Sequence, residues 1–155
     1  NNSAFWSPKM IDPEMDLSSG IAAFETKSFG HAMQLLSPLA DGGNVEAQFR
    51  VAVMWQNGLG VAANEPRAFE IMSAAAEQGH ALAQHGVGVM YLHGEGVEQN
   101  PAKAAEFFKK GAERGLTGSM VALAQMYQNG NGVDVDKNEA SRLYQEAGFD
   151  PAEFI

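Results

Sequence analysis

The chain writes the same turn three times, glycine, any residue, glycine, valine: "NGLGV" over residues 57–61, "HGEGV" over 93–97 and "NGNGV" over 129–133. Gly58, Gly94 and Gly130 are 36 residues apart, and so are Gly60, Gly96 and Gly132. A fixed period of this length marks a repeat architecture, in which one unit cannot bury its apolar face alone and must stack on its neighbours. That requirement narrows the fold more than composition does, because every column of the repeat must satisfy the same environment several times over.

Stacking the chain on the period aligns chemistry as well as glycine. Ala47, Ala83 and Ser119 are small, Val51, Val87 and Leu123 aliphatic, and Ala52, Gly88 and Ala124 small again. Met54, Met90 and Met126 form a methionine column that reads as core packing, and Trp55, Tyr91 and Tyr127 form an aromatic one. Steps of four, from Ala47 to Val51 to Trp55, put these side chains on one face of a helix, A. Helix A is expected to end in a left-handed cap at Gly58, Gly94 or Gly130. Gly60, Gly96 or Gly132 then turns the chain again without the penalty a Cβ would meet. The valine that follows plugs the space beneath the loop.

A second helix, B, is predicted after Asn64, Asn100 and Asp136, residue types that cap helix N-termini, with Pro101 suited to a first turn. Its columns are Ala68, Ala104 and Ala140, then Ile71, Phe107 and Leu143, then Met72, Phe108 and Tyr144. Gly79 and Gly115 close the unit, so one repeat is a helical hairpin.

The ends depart from this frame. Residues 29–43 match helix B through Ala32, Leu36, Leu39 and Gly43, but the helix before them leaves no room for a glycine loop and must turn tightly near residues 27–30. Gly148 stands in the column of Ala76 and Ala112, and Phe149, Asp150 and Pro151 stop the last helix early. Atypical terminal units are expected where a solenoid must cap its core. The organisation is thus an extended arm over 1–12, whose Phe5 and Trp6 either pack on the first hairpin or stay free of it, and one helical-repeat domain over 13–155. That domain divides into 13–43, 44–80, 81–116 and 117–150, with a tail over 151–155.

The formal charge of -9 argues against nucleic acid or an anionic membrane surface, since phosphate binding needs clustered cations. Arg50, Arg67, Lys103, Lys109, Lys110 and Arg114 come nearest to a basic group, and acids interleave them as on a solvated mixed-charge face. No stretch has the length of a membrane helix. With no cysteine there is neither a disulfide framework nor a thiolate metal site. The first residue is Asn1 rather than methionine, which fits a mature chain after leader removal; a periplasmic or secreted location is expected, with the cytoplasm as the alternative.

Residues 81–115, "ALAQHGVGVMYLHGEGVEQNPAKAAEFFKKGAERG", resemble the Sel1-like repeat family, a relative of the tetratricopeptide repeat, through A-x-A, L-G-x-x-Y, G-x-G-V, K-A and A-A-x-x-G. The flanking copies match less fully, with Trp55 for the usual tyrosine and Gly148 for alanine. Residues 22–43 are similar to the ungapped tetratricopeptide hairpin that precedes such arrays. The resemblance implies an all-α fold, a right-handed α/α superhelical solenoid of antiparallel helix pairs with the A helices lining a concave face. It also implies a non-enzymatic scaffold or adaptor that binds a protein or peptide.

The A-helix positions left over from the core give the candidate binding row: Phe49, Val53 and Gln56, then His85, Val89, Leu92 and His93, then Val121, Gln125 and Gln128. Its apolar members stand where a solvated helix prefers polar residues, and a stripe rimmed by amides and imidazoles suits an apolar helix or extended peptide. The alternative is that adjacent A helices or the N-terminal arm already cover it. The acidic chain would suit a basic partner.

Catalytic and cofactor signals are weak. His85 and His93 are eight residues apart, not the four of a helical zinc pair, and His31 and His80 are remote. Glu95, Glu98, Asp134 and Asp136 lack the density of a calcium loop, and the glycine turn lacks the third glycine and the lysine of nucleotide sites. Ser73, Ser119 and Ser141 have no nucleophile context. No metal and no cofactor is expected. Two other functions remain open: an inhibitor or immunity protein that blocks a secreted effector enzyme, and a cell-wall or β-lactam hydrolase, which turnover of such a substrate would reveal.

Overall fold

The computed structural model describes residues 12–153, so the arm expected over 1–12 lies outside the described residues apart from Asp12, the N-cap of the first helix. Among the described residues there are eight α-helices and no strand: α1 (Pro13–Glu25), α2 (Phe29–Asp41), α3 (Val45–Asn57), α4 (Glu65–Glu77), α5 (Ala81–His93), α6 (Pro101–Glu113), α7 (Thr117–Asn129) and α8 (Lys137–Glu146). A 3-10 turn, Pro151–Glu153, follows. Each helix packs chiefly on its neighbours in sequence, so α1/α2, α3/α4, α5/α6 and α7/α8 are hairpins stacked in chain order. The protein is an all-α solenoid of helix pairs, with the odd helices forming one layer, A, and the even helices the other, B.

The helix starts follow from their caps. Asn64, Asn100 and Asp136 accept the backbone N–H of Arg67, Lys103 and Glu139 at 3.1, 3.1 and 3.0 Å, answering one of the orphan donors at each B-helix start. Asn44 does the same for α3, but α5 is capped by an imidazole, His80 Nδ1 accepting from Ala83 N at 3.1 Å. The A-helix ends are as the glycine spacing predicts: Gly58, Gly94 and Gly130 hold φ of +69°, +70° and +68°. The first hairpin manages its tight turn at residues 26–28 with Lys27 at φ +63°.

The second glycine of each loop does more than turn the chain. Gly60, Gly96 and Gly132 lie against the start of the preceding B helix, where a Cβ would come within 2.6 Å of Phe29 C, 2.2 Å of the Glu65 carbonyl oxygen and 2.4 Å of Pro101 C. The loop is therefore a contact between repeats as well as a connection within one.

The core runs through the stack. Met54, Met90 and Met126 are at most 2 % exposed, as are Met72, Phe108 and Tyr144 of the B column. Each apolar cluster joins a hairpin to a helix of an adjoining one, Ala32, Leu36, Val51 and Met54 in one, Met72, Ala76, Val87 and Met90 in the next, and Phe108, Leu123 and Leu143 in the last. The aromatic column is less deeply buried than the methionine column. Trp55, Tyr91 and Tyr127 are half-buried, and cations of the B layer cover all three ring faces: Arg67 at 4.6 Å from the Trp55 centroid, Lys103 at 5.5 Å from that of Tyr91 and Lys109 at 5.9 Å from that of Tyr127. A cation over the face of a half-buried ring is attracted by its quadrupole.

Candidate functional site

The candidate row occupies the seams between successive A helices. Phe49 and Val53 of α3 are half-buried against the cluster built around Met72 and Val87, and Phe49 stacks on His80 with ring centroids 4.7 Å apart. Val89 and Leu92 of α5 and Val121 of α7 are half-buried against the last cluster, which holds Phe108 and Leu123. Stacking of neighbouring repeats thus covers part of each side chain and leaves part outward. Gln125 and His93 are exposed, while Gln128 is half-buried and accepts a hydrogen bond from the Tyr144 hydroxyl at 3.2 Å. The six turn glycines, Gly58 and Gly60 with their copies, stay at one end of the A helices and shape the rim.

Two carboxylates mark the row's edges. Glu46, in the first turn of α3, pairs with Arg50 at 2.8 Å and approaches His80 Nε2 at 3.3 Å. The Arg50 hydrogen bond is the main reason its carboxyl is held below the usual range, working against partial burial. Glu95, in the loop after α5, accepts from Gln56 Nε2 of the preceding repeat at 2.9 Å and lies 3.6 Å from His93 Nδ1. Gln56, His93 and Glu95 therefore join two repeats at the glycine-loop end.

His85 is half-buried. Its Nδ1 lies 2.8 Å from Ser119 Oγ and its ring 5.3 Å from that of Phe108, which places it in the seam between the second and third 36-residue repeats. Desolvation pushes its pKa below the ordinary histidine value. A histidine beside a serine has the elements of a nucleophile and its base. Here Ser119 is fully buried and packed so closely on Gly111 that a Cβ there would sit 2.2 Å from its oxygen, so a substrate has no approach. Among the described residues no group of three or more His, Asp or Glu could hold a metal ion, and no helix is long and apolar enough to cross a membrane.

Sequence reasoning missed two members of the A surface. Leu82, at the start of α5, is 49 % exposed. With Val45, Glu46, His80 and Arg114 it lines an open hollow of about 460 Å³ between the N-terminal ends of α3 and α5. Its signal was available, since Leu82 precedes His85 by three residues and so shares its helix face. Glu46 carried no such signal, because only the fold brings His80 to it. A smaller hollow of about 170 Å³ at the other end of the row is lined by Leu92, Ala122, Gln125 and Asn129.

A stack of helical hairpins with a continuous, partly apolar A surface is a helical-repeat solenoid. Its family follows from the repeats themselves: the Sel1 repeat model matches residues 45–80, 81–116 and 118–148, and the chain belongs to the Sel1 repeat family. Proteins of this family generally mediate protein–protein interaction and are generally non-enzymatic scaffolds. The fold is similar to a Sel1 repeat protein from Oxalobacter formigenes, 29 % identical with a TM-score of 0.81, the likeness covering 85 % of this chain and 53 % of that one. It is also similar to c5321, a protective antigen present in uropathogenic Escherichia coli strains and displaying an SLR fold, at 28 % identity and a TM-score of 0.83 over 88 % of this chain. The chain spans about half of the first structure and 30 % of the second. No curated protein matches the sequence.

Proposed function

We propose that this protein is a scaffold or adaptor module that holds a protein or peptide partner on its A-helix face, the concave side of the solenoid. The observation that carries the reading is the row from Phe49 and Val53 through Val89 and Leu92 to Val121. It continues across three repeats and remains half-exposed while the core behind it is closed. Side chains retained at a surface in this pattern supply the apolar contact area that peptide-binding grooves use.

Val89→Asp with Leu92→Asp tests it, since two carboxylates on the row would be desolvated by any partner seated there. The expected outcome is loss of the partner retained by the unaltered protein from its native source, with an unchanged circular dichroism spectrum. Leu82→Asp, at the exposed member, is the milder version. Capture undiminished in both folded variants would reject the A face. A single enzyme held one-to-one and inhibited would assign the narrower role of an inhibitor or immunity protein, whereas several weaker ligands would assign an adaptor.

A further inference from the structure

The charges of the chain are sorted by layer. The A helices, with the segments leading from them into the B helices, hold eight carboxylates against two cations, Lys27 and Arg50. The four B helices hold eight carboxylates and six cations, close to balance. Cations of the B layer are also engaged within the molecule: Arg67 over Trp55, Lys103 over Tyr91, and Arg142 between Glu139 and Glu146. On the A side Arg50 is bound to Glu46. Among the described residues no lysine or arginine forms an ion pair with Glu14, Glu25, Glu95 or Glu98. Three of the eight A-side carboxylates stand on α1 and four in the loops after α5 and α7, while α3, α5 and α7 themselves hold only the Glu46–Arg50 pair, so the excess negative charge beside the row lies at its loop rim, at Glu95, Glu98, Asp134 and Asp136.

We infer that the A face takes a cationic amphipathic segment of a partner protein, apolar side chains against Phe49, Val53, Val89 and Leu92, and lysine or arginine toward Glu46 at one edge and Glu95 at the other. The inference rests on the A face being the binding surface and adds the chemistry of its occupant. The two carboxylates stand near opposite ends of 13-residue helices, about 20 Å apart along the helix axis. That span fits three to four turns of a helix. The apolar row supplies contact that salt does not screen, while the carboxylates supply attraction that decays over about 8 Å at physiological ionic strength. Binding is therefore both sequence-dependent and salt-dependent.

Three synthetic 18-residue probes decide the matter by fluorescence anisotropy: a leucine/lysine amphipathic helix, a leucine/glutamate helix with the same leucines, and an alanine/lysine helix with the same lysines. The leucine/lysine probe is expected to bind at least about tenfold more tightly than either other, and to weaken as salt rises from about 0.02 to about 0.15 M. Glu46→Lys with Glu95→Lys should reduce its affinity by about tenfold or more. Glu46→Gln with Glu95→Gln, gentler on folding, should reduce it less but in the same direction. Glu70→Lys with Glu106→Lys changes net charge equally on the exposed B surface and should leave affinity unchanged. Equal or tighter binding of the glutamate probe, an equal loss in the B-layer variant, or no binding of the leucine/lysine probe would overturn the inference. A neutral row variant, Val89→Thr with Leu92→Gln, separates the two readings. If it abolishes a preferred glutamate probe, the surface stands and the cationic occupant falls; if it leaves all binding intact, the A face itself falls.

Discussion

Alanine at Gly96, compared with alanine at Gly115, measures how much of the stack is held by contact between repeats. Both glycines are left-handed, at φ +72° and +86°, so alanine at either carries a conformational cost of about 1–2 kcal/mol. At Gly115 nothing lies within 4 Å of the new Cβ, and that cost should be the whole effect. At Gly96 the Cβ would sit 2.2 Å from the Glu65 carbonyl oxygen and 2.5 Å from its carbon, backbone atoms in the first turn of α4 that no rotamer change can move. The loop must retreat by roughly 1 Å or more, which forfeits a quarter to a half of each contact it made there. Overpacking of this kind adds about 1–3 kcal/mol. Urea denaturation followed by circular dichroism at 222 nm reads the difference. With a slope of roughly 2 kcal/mol/M, the Gly96→Ala midpoint should fall below that of Gly115→Ala by about 0.5–1.5 M. Coincident midpoints, or a lower one for Gly115→Ala, would refute the view that the glycine loop clamps one repeat to the one before it.

The remaining expectations concern single side chains. Met90→Ala, at a fully buried core position, should cost about 2–5 kcal/mol, whereas Met15→Ala, 65 % exposed, should stay within about 0.5 kcal/mol; thermal or urea unfolding compares them. Asn100→Ala removes the acceptor for Lys103 N and should cost about 1 kcal/mol. His85 has a pKa lowered by desolvation, so the unfolded chain takes up its proton first as pH falls. Its contribution to stability is complete above the unfolded value of about 6.5 and is lost below it. His85→Gln should therefore flatten the fall in unfolding free energy between about pH 7.5 and 5.5, and an unchanged slope would show that His85 does not cause it.

The period of 36 residues, the columns and the caps were all legible in the chain. They are legible because each rests on local physics: four-residue spacing defines a helix face, glycine alone enters a left-handed cap cheaply, and asparagine caps a helix start. Those rules placed the methionine column in the core and the helix boundaries at Gly58, Gly94 and Gly130. Distances between residues far apart in sequence were not so determined. His85 reads as a free groove histidine until Ser119 and Phe108 close on it, and Gly60, Gly96 and Gly132 read as turns until the preceding B helix is laid against them. Likewise the aromatic column shares a helix face with core residues, and only packing sets Arg67, Lys103 and Lys109 over Trp55, Tyr91 and Tyr127. Sequence alone determined the hairpin, since its interactions lie within a few residues; only the stacking of one hairpin on the next decided which of its outward side chains remain available to a partner.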